Sequence, residues 1–300
     1  MITKRQNVLI VGYGEMGHAM HYLLDERHHI SIYDPRPIEG LTPVDVEQEA
    51  ASADIVLFCI PTQPLEAMLK RLTPHLQKHA ICLSISKGLD DFGRTPAQVY
   101  QQTFHREQRY CLLYGPMISE EIRAGRYGFA QLGCSDGAIY EEIKSLYRGS
   151  ALGIRRSSDI TGISWSVILK NVYAIAFGAA DELKLGDNVR GFLTVTAMEE
   201  LSSIMERMGG EAATPLSLAG LGDLITTATS RGSHHHELGI KLARGETEEI
   251  SGEGIHTLEM VERYALFDTS SYPLFSLVHS IVQNPKNTEQ RLLNYLNSTQ

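Results

Sequence analysis

Short apolar runs alternate with amphipathic stretches through the first half of the chain. NVLIVG (7–12), HISIYD (29–34), DIVLFCI (54–60), AICLSIS (80–86) and YCLLYG (110–115) are nearly continuously apolar, as strands of a parallel sheet covered on both faces must be. Between them, stretches such as Met16 to Glu26 and Pro64 to Leu76 carry helical periodicity. The repeated strand–helix–strand order predicts an α/β domain built on a doubly wound parallel sheet. From about Ser157 the texture changes. SSDITGISWSVILKNVYAIAFGAADEL reads as one long helix opened by Ser158 or Asp159, and GDNVRGFLTVTAMEELSSIMERMGG as a second that stops at Gly-Gly. The pattern divides the chain into residues 1–155, the sheet domain, and 156–300, an all-α domain.

Composition narrows the partners. With 300 residues, 43% hydrophobic and 21% charged, the chain can bury substantial cores. A net charge of -9 supplies no basic field for nucleic acid or anionic membrane, so an anionic ligand needs local cations. Cys59, Cys82, Cys111 and Cys134 stand singly in apolar runs without a C-x-x-C pair, which suits reduced core thiols in the cytoplasm. No signal peptide is evident, and no apolar run reaches the roughly 20 residues of a membrane span.

The first strand runs directly into GYGEMG, which places Gly12, Gly14 and Gly17 in G-x-G-x-x-G spacing where a helix opens. Glycine there permits a tight turn, close approach to a diphosphate and close packing of helix on strand, while the helix N-terminus offers free N–H groups to the anion. Asp34 ends the second strand, where a carboxylate takes the ribose hydroxyls of NAD and repels the extra phosphate of NADP, so NAD is favoured. Pro61 breaks the chain at the carboxyl edge of the third strand, where ligands of such sheets lie.

Three further polar residues stand in apolar surroundings. Lys87 follows a buried strand at the same carboxyl edge. Lys170 lies on a helix that is apolar nearly all round, with Val167, Tyr173 and Ala174 beside it at helical spacing. A buried ammonium needs an answering carboxylate or ligand, and a buried lysine suits acid–base work. Asp223, in GLGDLITTATS, is a carboxylate placed to meet a buried cation, or alternatively to cap a helix.

At these residues the chain resembles the NAD(P)-dependent glycerol-3-phosphate dehydrogenases of the soluble bacterial type. The resemblance spans nearly the whole chain and rests on GYGEMG, SKGLD, GPMISEE, LKNVYAIAFG, LGDN, GLGDLITTATS and GEGIHT, in the family's order. It implies a Rossmann domain followed by a helical one, a homodimer, and hydride exchange between nicotinamide and the secondary alcohol of sn-glycerol 3-phosphate, giving dihydroxyacetone phosphate. On this likeness Lys170 is the proton acceptor, while Lys87, Asn171 and Asp223 hold the substrate's oxygens and order Lys170. Glu15, Met16, Ser119 and Glu253 join Gly12, Gly14, Gly17, Asp34, Pro61 and Lys87 around the cofactor.

The departures cluster at the substrate's phosphate end. Where the family has G-P-S, this chain has Gly115, Pro116 and Met117; an arginine of the second long helix is Thr196. The family's S-R-N is replaced by Ser233, His234 and His235, and imidazole is a weaker phosphate grip than an arginine fork. Arg231 stands nearby as a substitute clamp. The run His234, His235, His236 is expected to wall the phosphate end of the pocket, because three adjacent side chains seldom converge on one metal ion. Two other readings compete: a β-hydroxyacid dehydrogenase or ketopantoate-reductase relative acting on a substrate without phosphate, and a nucleotide-binding protein that has lost catalysis.

Overall fold

The computed structural model describes residues 5–104, 108–230, 232–246, 248 and 250–298. They form two compact units: one runs to Asp90 and resumes over Arg94–Ile160, and the other takes Asp91–Gly93 and the chain from Thr161.

The first unit carries β1 (Asn7–Val11), α1 (Glu15–Leu24), β2 (His29–Tyr33), α2 (Val46–Ser52), β3 (Ile55–Phe58), α3 (Leu65–Leu72), β4 (Ile81–Ser84) and α4 (Pro96–Thr103). It continues with β5 (Arg109–Tyr114), α5 (Ser119–Arg123), β6 (Gly128–Gly133), α6 (Gly137–Leu146) and β7 (Leu152–Ser157). The seven strands pair in the order β2-β1-β3-β4-β5-β6-β7. β1 through β5 are parallel, and every described residue of β3 and β4 is buried, as a doubly covered sheet requires. The chain leaves β1 toward β2 on one side and continues through β3 on the other, which opens a ligand crevice at the carboxyl ends of β1 and β3.

Two strands depart from the expected parallel sheet. β6 pairs antiparallel with β5, and β7 follows β6 in parallel. Their sequences, GFAQLG and LGIRRS, lack the continuous apolar signature because β6 exposes Phe129 and the edge strand β7 exposes Arg155 and Arg156. Charged side chains on an outer strand also discourage pairing with another chain.

The second unit is helical among the described residues: α7 (Ile160–Glu182), α8 (Asp187–Arg207), α9 (Asp223–Thr229), α10 (His234–Ala243), α11 (Glu253–Tyr264), α12 (Pro273–Gln283) and α13 (Thr288–Asn297), with short turns between. α7 is buried continuously from Gly162 to Ala180. Its 23 residues are long and apolar enough to cross a membrane on length and composition, contrary to the expectation that no run would be; 89% of that window is buried, and α7 is the core helix of this unit. α8 ends where the Gly-Gly pair predicts: Gly209 has φ +80°, and the Gly210 N–H bonds back to Met205 O.

Two contacts fix the helices around α7. Gly178 and Gly239 let α7 and α10 touch backbone to backbone; a Cβ on Gly178 would lie 1.9 Å from His236 O, and one on Gly239 would lie 2.1 Å from Ile175 O. Glu200 of α8, buried, accepts from the Leu274 and Phe275 N–H groups that open α12, at 2.6 and 2.9 Å, and from the Tyr173 hydroxyl of α7 at 2.9 Å. Burial pushes its carboxyl above the ordinary range, and those donors only partly offset it.

Candidate functional site

The glycine turn of the first unit is shaped as the spacing demands. Gly12 has φ +96°, and a Cβ there would lie 2.6 Å from Cys59 O. A Cβ on Gly17 would collide with Gly12 O at 2.3 Å, so α1 presses directly on the turn. Gly14 is different, because a Cβ would meet nothing within 4 Å. Gly14 is also the N-cap of α1 and has no side chain to cap it, which leaves the first N–H groups of the helix available to an anion. These features fit the diphosphate of a dinucleotide. Met16 packs on the apolar core, and the Ser119 hydroxyl donates to Glu15 O at 2.7 Å, bracing the turn from α5.

Asp34 closes β2 with its carboxylate already organised. It accepts from the Tyr13 N–H at 2.9 Å and from Arg36, through the backbone N–H and Nε, at 3.0 Å each. Burial alone would raise its pKa, but the Arg36 side chain and the two backbone donors outweigh that and hold it at about 2. A carboxyl held below the ordinary aspartate value stabilises the fold above that value and loses the contribution as pH falls through about 2. Asp34 therefore keeps its charge across any physiological range.

Lys87 is half-buried in the segment after β4, and its backbone is pinned. Thr62 donates to Lys87 O at 2.7 Å and Gly88 O at 3.1 Å, Tyr114 donates to Ser86 O at 2.7 Å, and Ser86 donates to Ile60 O at 2.6 Å. Pro61 sits exposed beside Thr62. Gly115, at φ +152°, is required by packing, since a Cβ would lie 2.5 Å from Phe129 O. The Met117 side chain is turned into the apolar core of the first unit rather than displayed as a pocket wall.

In the second unit the lysine finds its carboxylate. Lys170, buried on α7, places Nζ 3.2 Å from Asp223 Oδ2 and 2.5 Å from Thr227 Oγ1. Asp223 opens α9 immediately after a π-helical turn, Leu218–Gly222, packed so closely on the preceding turn that a Cβ on Gly220 would lie 2.1 Å from Pro215 O. That turn explains the small residues of LAGLG. Asp223 and Thr227, four apart, share one face of α9 and reach Lys170 together. Thr227 was not anticipated from the sequence, although its helical spacing from Asp223 is a usable signal. Next along α7, Asn171 donates to Glu253 Oε2 at 2.9 Å, while its buried Oδ1 has no hydrogen-bond partner among the described residues. A buried acceptor left open beside an ion pair is a place for a donor from a ligand.

The three histidines do not converge. His234 Nε2 lies 2.8 Å from Ser251 O, to which it donates; His235 Nε2 accepts the Gly254 N–H at 3.1 Å; His236 Nε2 donates to Asp181 Oδ2 at 2.8 Å. Asp181 is shared with Arg190 at 2.7 Å. Ser233 caps α10 by accepting from the His236 N–H. The stretch thus ties the start of α10 to the start of α11, where Glu253 stands, and to the end of α7. No metal-ligand cluster occurs among the described residues. The His235 nitrogen that accepts from Gly254 cannot be protonated while that bond holds, which removes one route to a cationic phosphate grip. Arg231 lies outside the described residues, and Thr196 sits half-buried on α8.

Two family models match: NAD-dependent glycerol-3-phosphate dehydrogenase N-terminus over residues 37–139, and the corresponding C-terminus over residues 159–292. A glycerol-3-phosphate dehydrogenase (NAD(P)+) of Acaryochloris marina is 30% identical over 92% of this chain and 90% of its own length. That of Nitratidesulfovibrio vulgaris strain DP4 is 26% identical over 95% and 97%. Among solved structures, glycerol-3-phosphate dehydrogenase of Coxiella burnetii superposes with a TM-score of 0.83 at 22% identity, covering 96% of this chain and 99% of that one. A ketopantoate reductase of Ralstonia eutropha reaches a TM-score of 0.56 at 18% identity, a likeness of fold alone.

Proposed function

The chain belongs to the NAD-dependent glycerol-3-phosphate dehydrogenase family, and from that membership we propose that it interconverts sn-glycerol 3-phosphate and dihydroxyacetone phosphate, with Lys170 moving the proton. The observation that carries the reading is the buried trio of Lys170, Asp223 and Thr227 beside the open acceptor of Asn171. Nicotinamide dinucleotide, when bound, supplies the hydride acceptor or donor. In the reductive direction the Lys170 ammonium donates a proton to the ketone oxygen as the carbon gains hydride; in the oxidative direction Nζ takes the hydroxyl proton. Asp223 and Thr227 hold Nζ in one position through both steps. Asn171 Oδ1 accepts from a substrate hydroxyl, and Glu253 fixes the amide so that its oxygen remains available. Lys87, on a backbone pinned by Thr62 and Tyr114, supplies a second cation for the substrate's oxygens. The substrate's phosphate end is read by the segment Ser233–His235, with backbone donors and His235 Nδ1, the nitrogen left to donate when Nε2 accepts from Gly254, in place of a guanidinium.

For the cofactor, the organised carboxylate of Asp34 supports NAD over NADP, because it would stand against the additional phosphate. We expect Asp34→Ala to narrow or reverse the preference, read as the ratio of kcat/KM for NADH and NADPH. An unchanged ratio removes Asp34 from that role. The four unpaired cysteines among the described residues support a reducing, cytoplasmic setting, and a homodimer is the assembly we propose.

The direct test mixes purified protein with NADH and dihydroxyacetone phosphate and follows loss of NADH absorbance. Turnover is expected. Tight NADH binding without turnover of dihydroxyacetone phosphate or other 2-keto compounds would overturn the reading.

A further inference from the structure

Glu15 is the first residue of α1, so its carboxylate, 71% exposed, stands where the helix draws an anion. A diphosphate seated on the Gly14 cradle would meet a like charge there. Arg123, the last residue of α5, offers the remedy. Its side chain is 47% exposed and places Nη1 3.9 Å from Glu15 Oε2. Ser119 and Arg123 are four residues apart and share one face of α5, and the Ser119 hydroxyl already grips Glu15 O. That face therefore lies along the dinucleotide turn. The guanidinium is also felt at Tyr13, inside the turn: burial first and the Asp25 charge second raise the Tyr13 phenol, and Arg123 opposes them.

An exposed ion pair as wide as this one is weakly held. A diphosphate carries more charge than Glu15 and presents oxygens that match the planar fork of a guanidinium. We propose that Arg123 binds the cofactor's diphosphate: it rests on Glu15 in the free protein and transfers to the phosphate oxygens when the dinucleotide is seated, while Glu15 holds the affinity down. The assignment rests on the dinucleotide reading of the first unit and adds to it a cation supplied by α5, outside the glycine turn itself.

The test is calorimetric titration of NADH and of ADP-ribose into the full-length protein at low ionic strength, with no turnover required. Arg123→Ala should raise Kd for both ligands about tenfold, the scale of one charge-assisted hydrogen bond, and flatten the dependence of Kd on salt. Arg123→Lys, which keeps the charge but not the fork, should fall between. Glu15→Gln should tighten binding, and the double variant should bind more tightly than Arg123→Ala alone. Thermal midpoints of all four variants should match the wild type, which separates a ligand contact from a structural one. Wild-type Kd in Arg123→Ala, with NADH bound normally by the parent, overturns the assignment and leaves the dinucleotide site standing. A parent protein that binds neither NADH nor ADP-ribose overturns both.

Discussion

Lys170→Met is expected to lower kcat by about three orders of magnitude, within the range that positioned acid–base catalysis supplies, with NADH affinity unchanged. Methionine fills the same slot of α7 without a transferable proton. The substitution also leaves Asp223 buried without its cation, and breaking a buried pair from one side costs about 3–5 kcal/mol. The single variant will therefore melt early, and low activity alone would be ambiguous. Lys170→Met combined with Asp223→Asn resolves this, because the amide can accept from Thr227 without a buried charge. The double variant should recover most of the stability in urea titrations and none of the activity. A double variant that folds and turns over within tenfold of the parent would remove Lys170 from the chemistry.

Gly178→Ala should have the largest effect of any substitution that touches no functional side chain. The added methyl would lie 1.9 Å from His236 O, where ordinary contact begins at 3.4 Å, and its obstacle is backbone that cannot rotate away. α7 and α10 must move apart, at a cost of about 3 kcal/mol by the scale of overpacked cores. Displacing α10 carries Ser233 to His236 with it, loosening their bonds to Ser251, Gly254 and Asp181. The KM for dihydroxyacetone phosphate should rise while NADH binding stays constant. Gly239→Ala attacks the same crossing from the other helix, and the two losses should not add. A Gly178→Ala protein with parental melting would show that the helices do not pack this closely.

Much of this architecture was legible in the residue pattern. The five apolar runs are β1 to β5, the glycine turn opens α1, and the Gly-Gly pair ends α8. Those elements are specified locally, by a nearly continuous apolar run or by a backbone conformation that only glycine adopts without strain. β6 and β7 lack that signature: β6, though paired on both sides, is bracketed by glycines and exposes Phe129, and the edge strand β7 exposes two arginines. The pairing of Lys170 with a carboxylate follows from the cost of a buried charge, and Asp223 was the candidate. That Thr227 completes the trio follows from its i+4 spacing to Asp223 once α9 opens at Asp223, which a seven-residue helix does not announce by periodicity. The histidines illustrate the same limit. Adjacency does not tell which partner each ring meets: the N-terminal turn of a helix splays consecutive side chains, and the three rings bond to Ser251, Gly254 and Asp181.

Glu200 links events far apart in the chain. The first amides of α12 are locked by its carboxylate, whose third bond comes from Tyr173, one turn beyond Lys170 on α7. Those amide protons exchange with solvent only when the carboxylate lets go, and letting go unseats Tyr173 as well. The exchange lifetimes of the Leu274 and Phe275 amides are thus a clock for transient opening of the helix that carries Lys170.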